Sequence, residues 1–346
     1  TASARKPLQH WPPPRPQRLC HAPVECTAAG KVAGTMSDAL HHPLLADWPV
    51  LREARRHDAS KRLPFDVLDY DLRKRVGSVA IDHLPALPID GDTFVVDTQG
   101  LLLKITPSRR DELFAGLNRR LHQAGLVRGW RDEIFGLWHH PGEPPLALIE
   151  RASARFWGSL TLGAHCNGLD LGDVDGVGRA EGAGDHAPHL WLGRRSATKS
   201  TDPGMLDNLI GGGVPADQTP LQALHREGFE EAGLTFAQMQ AARPTGVYRI
   251  VRDIPEGLQN EDIHVHEIEL PAAVVPVNQD GEVAGFMRVD IASALRHVQS
   301  GELTVDASIA TLDCALRRGW LAPVYGRTMS DALAHALAAL QSAPVA

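Results

Sequence analysis

No apolar run in this 346-residue chain approaches the roughly 20 residues that a helix needs to cross a bilayer, which argues against a membrane protein. The first residues also lack the apolar segment of an export signal. Cysteine is scarce: Cys20, Cys26, Cys166 and Cys314 are scattered, with no paired metal-binding spacing beyond the loose Cys20 and Cys26 pair. A reducing cytoplasm is the simplest setting for such a set. Positive charge is not in excess either. The 35 lysines and arginines against 42 aspartates and glutamates leave a net charge of -7, which argues against nucleic acid as the main partner. An anionic substrate therefore has to be held by local cations and metal. What the chain does have is ordinary for a soluble protein, with 43% apolar and 22% charged residues, and its length suggests two domains.

Composition divides the first half. Residues 1–35 carry Pro7, Pro12, Pro13, Pro14, Pro16 and Pro23 among basic and small residues, the pattern of a disordered tail. Met36 opens a stretch that reads like an ordinary start, so the functional protein is expected to begin there. Residues 36–150 show a mixed pattern: strands at 76–81, 94–96 and 101–105, and helical periodicity through Leu113, Leu117 and Leu121 over 109–124. This is an α+β module with no catalytic cluster of its own. His139 and His140 precede Pro141 and Gly142 and read as a turn rather than as metal ligands. The Gly- and Asp-rich stretch 170–185 lacks the spacing of a calcium loop and reads as a flexible hairpin insertion before a strand at His189–Leu192.

The chemistry is concentrated between Gly211 and Leu234. Thr219 reads as a helix N-cap, Pro220 as the first helical residue, Gln222 as the reciprocal partner of a capping box, and Gly233 as the stop. On that helix Glu227, Glu230 and Glu231 fall at i, i+3 and i+4. Their charges converge within one turn and repel unless something positive lies between them. Hard oxygen ligands at this spacing suit Mg2+ or Mn2+, which neutralises a diphosphate and activates water. Gly228 sits inside the helix at a cost of about 1 kcal/mol relative to alanine, which implies close approach of a neighbouring element.

The segment resembles the Nudix box, G-x5-E-x7-R-E-U-x-E-E-x-G-U, with U aliphatic. Gly212 matches the opening glycine, Arg226 and Glu227 the R-E, Glu230 and Glu231 the E-E, and Gly233 and Leu234 the closing pair. Gln218 departs from the first glutamate of the pattern, which in the family supports the arginine, and Gly228 from an aliphatic position. The resemblance implies an α/β fold, a Nudix α/β/α sandwich with a mixed sheet over residues 151–346, preceded by the smaller α+β domain. It implies a metal held by Glu227, Glu230, Glu231 and Gly212 and catalysis by Glu227, Glu230 and Arg226; charge and position add Glu282 to the catalytic candidates and Arg194, Arg195 and Lys199, with Gly212 and Gly213, as phosphate contacts. Arg194 and Arg195 are neighbours on a strand, so at most one faces the site. Glu282 follows an Asp280-Gly281 turn that brings a carboxylate toward the box, as an additional ligand or a base orienting the nucleophile. Trp191 and Tyr248 are expected either to stack on an aromatic substrate ring or to pack in the core.

Outside the box the chain is similar to a thiamine-diphosphate-related Nudix group. The similarity lies at Trp138, 150–152 and 165–168, along the approach 190–208, and downstream at 270–271, 276–283 and 317–323. It implies hydrolysis of thiamine diphosphate, or of its oxidised analogues, to a monophosphate and phosphate. The nearest alternative is a hydrolase of another nucleoside diphosphate derivative, such as ADP-ribose or a dinucleotide. Two further alternatives are an isomerase like that of isopentenyl diphosphate, for which Cys166 is the one cysteine to consider, and a non-catalytic diphosphate-binding regulator, which usually loses box glutamates.

Overall fold

The computed structural model describes residues 39–171 and 187–342. The tail, the start at Met36, Cys20, Cys26 and nearly all of the hairpin insertion lie outside the described residues. Asp170 is described, and its carboxylate accepts a hydrogen bond from Arg288 Nε at 2.6 Å.

After a 3-10 turn at Pro43–Leu45 comes a short helix α1 (Pro49–Glu53), started by a proline that costs no helical hydrogen bond. It is followed by strands β1 (Arg62–Asp69), β2 (Leu72–Ala80), β3 (Phe94–Asp97) and β4 (Gly100–Leu103) in the order β2-β1-β4-β3. Helix α2 (Arg110–Gln123) carries Asp111 and Glu112 in its first turn and Arg120 and His122 in its last, a distribution that complements its dipole. A hairpin, β5 (Ile134–Leu137) and β6 (Ala147–Glu150), then leads into α3 (Ser153–Trp157). All the strands and the helix expected before residue 150 are present within a few residues of their expected bounds. Strand β1 and the hairpin are additions. Their common core centres on Trp157, which lies 5.0 Å from Phe65 in a stacked arrangement and meets Phe114 edge-on at 5.3 Å. The buried indole N–H is satisfied by Asn118 Oδ1 at 2.8 Å.

The second half is built on a seven-stranded sheet formed by β7 (Thr161–Asp170), β8 (His189–Arg195), β9 (Leu206–Asp207), β10 (Ile210–Gly213), β11 (Arg243–Ile254), β12 (Gly257–Glu269) and β13 (Val283–Asp290). Strands β7 and β12 run parallel and the other pairs antiparallel. The sheet is therefore mixed, as expected. Along β7 the side chains alternate between two helix layers. Leu162, Ala164 and Cys166 pack with Ala223 and Leu224 of helix α4 (Pro220–Ala232) and with Met239 of α5 (Phe236–Met239). On the other face, Leu169, Ile263 and Val265 pack with α6 (Ile291–Ser300), α7 (Val305–Arg317) and α9 (Arg327–Leu340), α8 (Leu321–Tyr325) lying between the last two in the chain. The result is an α/β/α sandwich. Trp48, Val50 and Leu51, in and beside α1, join this second layer, and the backbone of Ala54 and Arg56 accepts hydrogen bonds from Val251 and Asp253 of β11. Among the described residues no helix is long and apolar enough to cross a membrane.

Candidate active site

Helix α4 forms as its sequence dictates. Thr219 and Gln222 close both arms of the capping box, Pro220 opens the helix, and Gly233 ends it at φ 67°, ψ 16°. Such a cap contributes about 1 kcal/mol. Gly228 is the point of close approach: a Cβ there would lie 2.6 Å from Met239 Sδ. Without side chains at 228, α5 packs directly on α4 and fixes the rotation that aims Glu227 and Glu231 at β10.

Strand β10 pairs with β7 through Gly211 opposite His165 and Gly212 opposite Ala164. A Cβ on Gly212 would lie 2.3 Å from the Glu227 carboxylate carbon, so the glycine leaves room for that side chain. Gly211 N–H donates to Glu231 Oε2 at 2.8 Å. Glu227 and Glu231 are thus buried against the glycine strand, whereas the Glu230 side chain is 38% exposed.

Two cations answer these carboxylates. Arg226 donates from Nη1 to Glu230 Oε2 at 2.8 Å and from Nε to Gln218 Oε1 at 3.2 Å. Its Nη2 lies 2.9 Å from Glu227 Oε1, without the direction of a hydrogen bond. Gln218 therefore supports the arginine through a neutral hydrogen bond. Lys199 Nζ lies 3.6 Å from Glu231 Oε1 and contacts Glu282 Oε2. Even so, burial and the neighbouring Glu227 charge push the Glu231 carboxyl up to about 8, and burial raises Glu227 as well. The two residues form a pair of oxygen donors whose negative charge the nearby cations do not fully offset. Two buried carboxylates suit a hard divalent cation, but the expected convergence of three is corrected: Glu230 turns to Arg226, and among the described residues no group of three potential ligands is drawn together.

Glu282 does reach this region. Its backbone N–H donates to Asp280 Oδ1 at 2.8 Å in the expected turn, and its side chain is clamped between Lys199 and Arg131, with Arg131 Nη1 at 2.7 Å from Oε1. Burial pushes its carboxyl up, but hydrogen bonds and charge from Lys199 and Arg131 outweigh this and bring it to about 2. A carboxylate so held orients Lys199 well and accepts a proton poorly.

A cleft of about 530 Å³ opens beside the glycine strand. Arg195 lines it and pairs with Asp207 at 2.7 Å, while Arg194 lies outside it with Nη1 on the Gly204 carbonyl at 2.8 Å. Only one of the neighbouring arginines faces the site, as strand alternation requires. Gly211, Gly212 and Gly213 form part of the wall. Trp191 and Tyr248 are not among the lining residues. Tyr248 is buried and donates its hydroxyl to Asp313 at 2.6 Å, and Trp191 packs against the α4 core cluster, so the stacking alternative is corrected to core packing for both. Histidines 139 and 140 lie in the expected turn region, apart from the cleft. Cys166 is fully buried in the α4 core cluster and its thiol is pushed up by burial, which leaves it unsuited to acid–base work at the cleft.

The cleft floor holds Arg155, Gln259, Glu261 and Asp306, which carried no local signal, beside His165 and Arg151 from the segments of similarity at 165–168 and 150–152. Arg155 Nη2 donates to Glu261 Oε2 at 2.8 Å, and Gln259 Nε2 donates to Glu261 at 3.1 Å and to Asp306 at 3.0 Å. Burial, with the Glu261 charge, raises Asp306 to about 6. His165 contacts Asn208 Oδ1 at 3.2 Å and lies 3.9 Å from Asp207. Arg151, beside Gly213, donates to Glu133 at 2.7 Å. The run Gln259-Asn260-Glu261-Asp262, four polar residues in succession in a largely buried strand, is the pattern that could have pointed here.

Comparison with known proteins matches residues 179–306 to the NUDIX domain. The chain is 32% identical over 219 residues to Nudix hydrolase 24, chloroplastic, of Arabidopsis thaliana, covering 63% of this chain and 56% of that protein. It is 31% identical over 228 residues to Nudix hydrolase 20, chloroplastic, of the same plant, covering 65% and 57%. An uncharacterised protein of Saccharomyces cerevisiae is 27% identical over 229 residues, covering 62% and 64%. The chain thus spans somewhat over half the length of the curated relatives it matches. Capped box helix, glycine strand and family match agree in placing the similarity at residues 179–306.

Proposed function

We propose that this protein hydrolyses a diphosphate ester whose organic part is cationic or rich in hydrogen-bond donors, with thiamine diphosphate or its oxidised analogues as the substrate class. The observation that carries this reading is the two-sided chemistry of the cleft. Arg151, beside Gly213, and Arg195, paired with Asp207, supply cations, and the floor carries Asp306 and the Arg155–Glu261 pair. Among the described residues no Phe, Tyr or Trp lines the cleft, so recognition of the organic part falls to charge and hydrogen bonds rather than to ring stacking.

Glu227 and Glu231, with Glu230 and Gly212 beside them, would hold Mg2+ or Mn2+; when bound, such an ion offsets phosphate charge and acidifies water. Arg151 and Arg195 bind the phosphate oxygens. Glu227, raised by burial, orients the attacking water and takes its proton, whereas Glu282 positions Lys199. Water oxygen attacks the terminal phosphorus, the bridging P–O bond breaks, and the products are a monophosphate ester and inorganic phosphate. The buried free thiols of Cys166 and Cys314 accord with a reducing compartment such as the cytoplasm.

A panel of diphosphates assayed with Mg2+ and again with Mn2+ tests the reading. Oxidised thiamine diphosphates should exceed ADP-ribose by at least about tenfold in kcat/KM, about 1.4 kcal/mol of differential transition-state binding. Equal or reversed preference with both metals would refute the substrate class.

A further inference from the structure

A second and larger cavity, about 760 Å³, lies away from the glycine strand, where β2, the segment after β5 and the far side of β11 and β12 meet. Its lining contains three guanidinium groups, from Arg62, Arg75 and Arg249, three imidazoles, from His57, His139 and His140, and a single carboxylate, Asp262. That carboxylate is already matched: Arg249 holds it through two hydrogen bonds, at 2.5 Å and 2.6 Å. Arg75 is likewise matched, to Asp66.

Arg62 is different. It is only 9% exposed, and among the described residues no carboxylate forms an ion pair with it. Its guanidinium donates to Ser78 Oγ at 2.9 Å and to the Ser78 carbonyl at 2.5 Å, both neutral acceptors. Asp253 attracts it only from beyond ion-pair distance, so an anion in direct contact would meet a buried charge that no contact answers. Trp138 stands in the same lining, its ring laid against Gly136, where a Cβ would be 2.4 Å from indole Cε2. The absence of a side chain at 136 makes the indole a fixed flat surface. Asn260 adds an amide.

We propose that this cavity is a second binding site, separate from the hydrolytic cleft, for an anionic molecule bearing a planar ring, such as an aromatic phosphate monoester. Arg62 supplies the charge for the phosphate, Trp138 the face for the ring, and the volume suits a ligand of nucleotide size. Neither residue lines the cleft, so occupancy and hydrolysis are separable.

The test uses phenyl phosphate and the full chain labelled with 5-fluorotryptophan, the Trp138 resonance being assigned by Trp138→Phe. Phenyl phosphate should shift that resonance saturably, with phenol and inorganic phosphate binding more weakly. Arg62→Met should weaken binding at least about tenfold, the loss expected for one charge-assisted contact. Should Arg62→Met fail to fold, Gly142→Glu serves instead. A side chain at 142 meets nothing within 4 Å, and the added negative charge should weaken binding by a similar factor, with Gly142→Gln close to the parent. Diphosphate turnover should stay within about twofold in Trp138→Phe. Absence of a saturable Trp138 shift up to about 20 mM phenyl phosphate would overturn the proposal. A shift indifferent to Arg62→Met and Gly142→Glu would overturn it too. Neither failure bears on the diphosphate panel, which reads the cleft alone.

Discussion

Replacing a helical glycine with alanine ordinarily stabilises a protein by about 0.5–1 kcal/mol, and at Gly228 the structure reverses that sign. An added Cβ would lie 2.6 Å from Met239 Sδ, 3.0 Å from its Cε and 3.1 Å from its Cγ. Methionine is adaptable, but Met239 is fully buried, so the thioether has no solvent-side rotamer to adopt. Overpacking of this kind costs about 1–3 kcal/mol, which matches or exceeds the helix gain and leaves Gly228→Ala destabilised by about 0–2.5 kcal/mol. Urea unfolding of the parent, Gly228→Ala, Met239→Ala and the double variant forms a cycle. Met239→Ala alone should cost about 2–5 kcal/mol through its cavity, and the double variant should be less damaged than the two singles added together, by at least about 1 kcal/mol. Turnover of Gly228→Ala should fall more than its stability suggests, because α5 sets the rotation that aims Glu227 and Glu231. A Gly228→Ala protein more stable than the parent by 0.5 kcal/mol or more on that scale, or strict additivity in the cycle, would refute the argument.

Glu231→Gln and Glu230→Gln should each lower kcat by about 100-fold or more with little change in unfolding midpoint, since charge is removed and shape kept; near-normal rates in both would remove the metal assignment. Glu282→Gln should lower kcat by less than about tenfold and leave the acid limb of the kcat/KM profile in place, because a carboxyl held at about 2 is not the group that titrates there. Loss of that limb in Glu282→Gln would make Glu282 the base. Burial pushes His266 down to about 4 from an ordinary 6.5, so its contribution to stability is complete above about pH 6.5 and is lost as pH falls toward 4, by up to about 3 kcal/mol. His266→Gln should flatten the stability profile between pH 4.5 and 7, and an unchanged slope in urea melts would show that another group is responsible.

What could be read from the sequence follows from how local each feature is. The α4 helix, its caps, the close approach at Gly228, the single inward arginine of Arg194 and Arg195, and the turn that delivers Glu282 all depend on residues within a few positions of each other. Side-chain spacing and cap chemistry decide such features before any tertiary contact forms. The replacement of the first box glutamate by Gln218 was legible for the same reason, and the neutral hydrogen bond to Arg226 at 3.2 Å is what the amide can offer. Tyr248 and Trp191 show the opposite case, since an aromatic residue on a strand has the same sequence signature whether its partner is a substrate ring or a buried carboxylate such as Asp313.

The cleft floor was illegible because long-range register assembles it. Glu261 lies opposite Thr161 only through the parallel pairing of β12 with β7, Arg155 arrives from α3, and Asp306 comes from the first turn of α7. These residues are separated by up to 151 positions, counting from Arg155 to Asp306, and none carries a local motif. This division has a chemical counterpart. The carboxylates that would hold the metal are encoded in one continuous stretch from Gly211 to Leu234, whereas the residues proposed to recognise the organic group come from three separate elements. A change of substrate could therefore leave the box helix untouched and alter only Arg155, Glu261, Gln259 or Asp306. The substitutions that would move specificity without loss of hydrolysis lie on β12 and at the start of α7.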